Sequence, residues 1–217
     1  MNQILRTALV ICFVALTTPA WAHAWAHAWA HAWAHAWAHA PVMGIRGVFG
    51  GVLHALLIPE HGASLVALGL VLGRQQQPAR RSGLMIFAAA LACGLVATGL
   101  AIEATLASDV LLAATGILGL LIAAGWGPPV LGWPLAALAG LAFALDSAPE
   151  TTSTDETIRM LIGSGLGAIV ALALVAEGAV LLRSNGQPIV ARVLGSWIAA
   201  TVILVLALRI ATRFATG

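Results

Sequence analysis

From Val110 to Leu145 the chain carries no charged residue, and Leu84 to Ile102 is likewise uncharged. Runs of that length exclude most folds. About 20 apolar residues at 1.5 Å rise each match the roughly 30 Å hydrocarbon core of a bilayer. A backbone inside lipid must also satisfy its own polar groups. Composition agrees, with 61% hydrophobic and 8% charged residues, where soluble domains carry about 25% charged. The sequence therefore predicts an all-α polytopic membrane protein. Its net charge of +2 comes from arginine, since lysine is absent. No basic stripe suited to nucleic acid is present, and none is expected as a partner.

Residues 1–22 read as a secretory signal, with Arg6 in a short polar start, an apolar core from Ala8 to Leu16, and Ala20-Trp21-Ala22 as a cleavage box. A tetrapeptide W-A-H-A then repeats five times from Trp21 to Ala40. Each copy offers another cleavage box, so processing at any point up to Ala38 leaves an N-terminal histidine. His23, His27, His31, His35 and His39 have the i, i+4 spacing of a metal-capturing tract. An expanded nucleotide repeat without a selected role accounts for the array more simply. Once Cys12 is lost with the leader, Cys93 is the remaining thiol, read as a small buried hydrophobe.

Residues 41–217 divide into six expected spans: Val48–Leu72, Gly83–Ile102, Val110–Gly125, Val130–Leu145, Met160–Leu182 and Val193–Leu208. A cleaved leader puts the mature N-terminus in the periplasm of a bacterial inner membrane. Arg74, Arg80, Arg81, Arg183 and Arg192 then fall inside, while Arg46, Arg159, Arg209 and Arg213 fall outside. The short-loop bias follows the positive-inside rule. Small residues such as Gly94, Gly99, Gly163, Gly165 and Gly167 allow close helix approach.

The first span is where chemistry concentrates, for it holds His54, Glu60 and His61, with Pro59 between the histidines. Ionisable groups at membrane depth cost about 2.5–3.5 kcal/mol each on insertion scales and usually face a partner or cavity. In an intact helix the two imidazoles would stand about 10.5 Å apart along the axis, while ligands to one ion lie about 2.0–2.2 Å from it. A break at Pro59 would fold the His54 half back toward Glu60 and His61. Imidazole with carboxylate suits nickel, cobalt or zinc better than magnesium or calcium. The alternative is that the histidines are satisfied locally and only stabilise a kink.

The segment H-A-L-L-I-P-E-H-G-A-S-L-V-A-L-G-L, from His54 to Leu70, resembles the H-P-x-x-G-x-D-H-L-L-A-M-x-A-V-G-L signature of the HupE/UreJ proteins. These are hydrogenase and urease accessory membrane proteins regarded as nickel or cobalt permeases. His54 and His61 match the two histidines, and Glu60 takes the aspartate position. I-E-A-T-L-A-S-D-V, from Ile102, is similar to V-E-x-x-I-A-x-S-V and places Glu103 on the family's glutamate. V-A-R-V-L-G-S-W-I-A-A near the end resembles the last span's R-x-x-G-x-x-I-A. The resemblance implies a metal set of His54, Glu60, His61 and Glu103, with nickel or cobalt as cargo and zinc or copper as further candidates.

Elsewhere the chain departs from the pattern. Where the family has H-G-x-A-H-G-x-E, this chain has F-A-L-D-S-A-P-E. Phe143 and Ser147 replace histidines, Glu150 remains, and Asp146 is a substitute oxygen donor. The fifth span lacks the family's L-H-A-A-G histidine and offers Glu177, either as a relay carboxylate or as a partner of Arg183. Glu103, Asp109, Asp146 and Glu150 gather near the outer ends, as an entry vestibule or a solvated rim. Asp155 and Glu156 suit the first turn of a helix. No nucleophile–base group or phosphate loop is present, so no enzyme is expected. Two functions follow as expectations: an inner-membrane permease for a divalent transition metal, or a non-transporting membrane subunit or metal-binding accessory protein of a larger complex, such as a metalloenzyme-maturation partner.

Overall fold

Pro59 has no N–H to offer the Ala55 carbonyl, and its ring crowds the preceding turn. The residue before a proline is driven toward extended backbone. The computed structural model, which describes residues 45–102, 104–149 and 153–216, has that geometry. Ile58, at φ −70° and ψ 119°, separates α1 (Gly47–Leu57) from α2 (Pro59–Gly73), and the pair is bent by 71°. Pro59 opens α2 at its first position, where a missing donor is harmless. The expected proline break is present. The leader, the W-A-H-A array, Glu103 and Glu150 lie outside the described residues.

Five more helices follow: α3 (Gln77–Gly99), α4 (Ala107–Ala123), α5 (Pro129–Asp146), α6 (Thr154–Ser184) and α7 (Pro188–Thr216). The regular structure of the described residues is entirely helical. Four helices, α3, α5, α6 and α7, are long and apolar enough to cross a membrane, and the bent pair makes up to five. At 17 residues, α4 is a shorter apolar helix.

Central to the bundle is α2. Its residues from Ala67 to Gly73 are all buried, as are His61, Ser64 and Leu65, the behaviour of a helix apolar on every side. It packs on α4, α5 and α6, while α1 lies along α6, α3 along α5, and α7 along α4. The α1–α6 contact is backbone on backbone. A Cβ on Gly51 would overlap the Met160 carbonyl, and one on Gly163 would overlap the Val48 carbonyl. Small residues serve here the close approach that helices in lipid exploit. Cys93, by contrast, is exposed on α3 rather than buried, because that face of the helix points away from the bundle.

Helix ends are closed by local chemistry. Gly125 and Gly186 adopt φ 76° and 69°, and the amides that follow bond back to Leu121 and Leu182, each at 2.9 Å. This is the left-handed cap that glycine favours. The same motif ends α3, but there Ala101 occupies it at φ 56°, with Ile102 N–H bonded to the Ala97 carbonyl at 3.1 Å. At the start of α6, Ser153 accepts from the Glu156 amide, and Glu156 Oε1 accepts the Gly47 amide at 2.6 Å. Asp155 pairs with Arg159 at 2.8 Å. Both acids therefore sit in the first helical turn, where their charge opposes the dipole.

Opposite the break, arginines close the bundle. Arg74 donates to the carbonyls of Ile122 and Gly125 at 3.2 and 2.6 Å. Arg192 donates to Ala123 at 3.0 Å, and Arg183 to the Arg74 carbonyl at 2.7 Å. Glu177 pairs with Arg80 at 3.2 Å, so its partner is not Arg183, which the neighbouring turn had suggested. Burial first, and then the nearby Arg192 charge, lowers the pKa of Arg74 from its ordinary value.

Candidate functional site

The bend at Ile58 turns the last turn of α1 against the first turn of α2. His54 and His61, both buried, meet edge to face with ring centroids 5.8 Å apart. That is well inside the separation an unbroken helix would impose. Phe143 of α5 lies against His61 at 4.2 Å, tilted by 33°, and Phe87 of α3 meets Phe143 at 6.5 Å. Four rings from four helices thus form one series through the core. His61, Phe87 and Phe143 are 0%, 1% and 0% exposed, so water is excluded from their contacts.

One acid reaches this series. Asp146, at the end of α5, approaches His61 Nε2 with Oδ2 at 3.0 Å. A carboxylate there favours a proton on Nε2 and leaves the Nδ1 lone pair as the basic nitrogen. Nδ1 is buried and has no hydrogen-bond partner among the described residues. Metal-binding histidines are commonly oriented by such a carboxylate on the far nitrogen. Ser64, one turn beyond His61 on α2, also buries its hydroxyl without a partner among the described residues. Ser147, at the end of α5, satisfies its hydroxyl on the Phe143 carbonyl at 2.7 Å.

Glu60 departs from the expected set. Its carboxylate is engaged by Arg209 of α7 and by the Ser108 hydroxyl at 2.7 Å. Arg209 also reaches Ser108 at 2.7 Å and Asp109 at 3.1 Å, and Arg213 reaches Asp109 at 2.6 Å. Two carboxylates and two guanidiniums make a neutral cluster joining α2, α4 and α7. The physical reason for the divergence is angular. Successive helical residues point about 100° apart, so His61 and Glu60 cannot both face the His54 ring. Asp109 is therefore no lone rim charge, but is paired with both Arg209 and Arg213.

Among the described residues, no group of three or more His, Cys, Asp or Glu side chains is arranged to hold a metal ion. The structure brings together His54 and His61 from the expected set, diverts Glu60, and adds Asp146. Arg209 was missed as a site residue. Its signal was present, because an arginine inside an apolar span needs an acid. The partner lies 149 residues earlier, a separation that a single sequence does not bridge.

These features define a class, an all-helical bundle of apolar spans with an imidazole–carboxylate pair buried at a helix break. No family model, curated protein or solved structure matches the chain.

Proposed function

We propose that the chain is an inner-membrane permease for a divalent transition metal of the nickel or cobalt type, similar to the HupE/UreJ proteins, with its mature N-terminus in the periplasm. One observation carries the reading: a buried His61 whose Nε2 is held by Asp146 and whose Nδ1 has no described partner, beside a second imidazole at a broken helix. Broken helices suit cation passage because the freed carbonyls and the negative end of the half-helix supply further oxygen donors. Here Pro59 frees the Ala55 carbonyl, one residue from His54. Two nitrogens with such oxygens make a site a partly hydrated ion can enter and leave, as transport requires more than tight holding does. The acidic ends of α4 and α5 would meet the ion first, and Phe143 keeps the site dry on its far side.

Uptake of radioactive nickel or cobalt by cells producing His54→Ala and His61→Ala variants tests the proposal. At least tenfold slower uptake in His61→Ala, at equal membrane abundance, is the expected result, in line with the roughly 10–100-fold effects of disturbing metal-site residues. Uptake equal to wild type in both variants removes these residues from the mechanism.

A second reading, a non-transporting membrane subunit or metal-binding accessory protein, is favoured by the neutralisation of Glu60. It predicts co-purification with a larger complex and no metal flux in proteoliposomes.

A further inference from the structure

At the end of the bundle opposite the break, Arg74, Arg183 and Arg192, like Arg81 on the exposed side of α3, have no carboxylate within ion-pair distance among the described residues. The first three converge. They are brought together by the α2–α3, α4–α5 and α6–α7 junctions. Arg74 Nη2 and Arg192 Nε lie 3.7 and 3.8 Å from the point where a Cβ on Gly125 would sit. Arg183 is tied to the Arg74 carbonyl at 2.7 Å. We propose that the guanidiniums of Arg74, Arg183 and Arg192 bind the phosphate of an anionic phospholipid headgroup.

The helix termini do not absorb this charge. Three C-termini (α2, α4, α6) and three N-termini (α3, α5, α7) meet here, and their partial charges of about half a unit each cancel. Nor do hydrogen bonds exhaust the donors. A guanidinium has five N–H groups; Arg74 spends two on carbonyls, and Arg183 and Arg192 one each. Arg183 and Arg192 are exposed, with their remaining donors open to a ligand. Phosphate is the anion whose oxygens match several guanidinium donors at once. Gly125, at φ 76°, puts no side chain between Arg74 and Arg192.

A lipid is favoured over a free anion by what surrounds the charges. Ile189 and Val193, flanking Arg192 on α7, are exposed, and so is Trp126 beside Gly125. Trp133 nearby donates its indole N–H to the Ala79 carbonyl at 3.2 Å. Tryptophans of this kind belong at the headgroup level, and basic pockets between spans bind anionic headgroups. The inference rests on the membrane placement proposed above and is independent of the metal.

Native mass spectrometry of the full chain, purified in detergent and offered phosphatidylglycerol or phosphatidylcholine without added metal, tests it. Wild type should retain phosphatidylglycerol in preference. Arg192→Gln should weaken that preference roughly fivefold, the share of one interfacial cation. Arg192→Lys and the exposed Arg81→Gln should keep it, and both remain usable if Arg74→Gln fails to fold. An unchanged preference in Arg192→Gln, or an equal loss in Arg81→Gln, overturns the site. Displacement of the lipid by millimolar inorganic phosphate overturns the choice of lipid. Retention of neither phospholipid overturns the site and leaves the apolar spans untouched, whereas failed nickel flux alone bears only on the permease reading.

Discussion

Arg209 on α7 grips Glu60 in the first turn of α2, so the last helix of the chain clamps the segment that carries the helix break. The two side chains are partly buried, at 32% and 24% exposure. They share Ser108 and, through Arg209, Asp109. Charge-assisted bonds of this kind contribute about 1.5–3 kcal/mol each, less where solvent or headgroups screen them. Arg209→Gln should lower stability by roughly 1–3 kcal/mol on that basis. The double variant Glu60→Gln/Arg209→Gln should lose less than the sum of the singles, because each single leaves one unmatched charge and the double leaves none. Thermal unfolding in one detergent, read by tryptophan fluorescence, checks both.

Asp146→Asn keeps the shape of the His61 contact and removes its charge. On the permease reading, nickel affinity should fall about 10–100-fold while stability changes little. Equilibrium dialysis of the purified variant measures the first and thermal unfolding the second. Unchanged affinity would reduce Asp146 to a packing partner.

Glycines in α6 offer a paired comparison. Gly163 touches the Val48 backbone, whereas a Cβ on Gly178 meets nothing within 4 Å. Gly163→Ala must push α1 away and should destabilise by about 1–3 kcal/mol or more. Gly178→Ala should be neutral or stabilising by up to about 1 kcal/mol, through helix propensity alone. Opposite signs in the same unfolding assay are expected.

Ala101 holds the left-handed position that glycine normally takes after a helix. The left-handed form costs an ordinary residue roughly 1–2 kcal/mol, and glycine returns part of that as unfolded-chain entropy. Ala101→Gly should therefore raise stability by roughly 0.5–1 kcal/mol, seen as a higher unfolding temperature. No gain would show that surrounding contacts have already relaxed the turn.

Much of this architecture could be read from single residues. Pro59 pointed to the break between the two histidines, and each expected span falls on a helix, or on the bent pair, of the described residues. Helix lengths were underestimated where charged residues continue an apolar helix. Hydropathy alone ends the last span at Leu208, before Arg209 and Arg213, yet α7 runs on through Thr216. The site was half legible. His54 and His61 are close in sequence, and the bend acts on them directly. Glu60 went astray because its fate depends on Arg209, and Asp146 gained its role from α5 packing beside α2. Cys93 was misplaced for a related reason: in an apolar helix, hydropathy does not distinguish the face toward protein from the face toward lipid.

The brevity of α4 has a mechanical consequence. Its 17 residues reach only about 25 Å, several ångströms less than a typical hydrocarbon slab. On the permease reading proposed above, a bilayer around this bundle dimples beside α4, drawing headgroups and water toward Asp109 and Arg209 and shortening the dry distance an ion has to travel. Such a protein should also collect in thinner membranes, where the dimple needs less deformation.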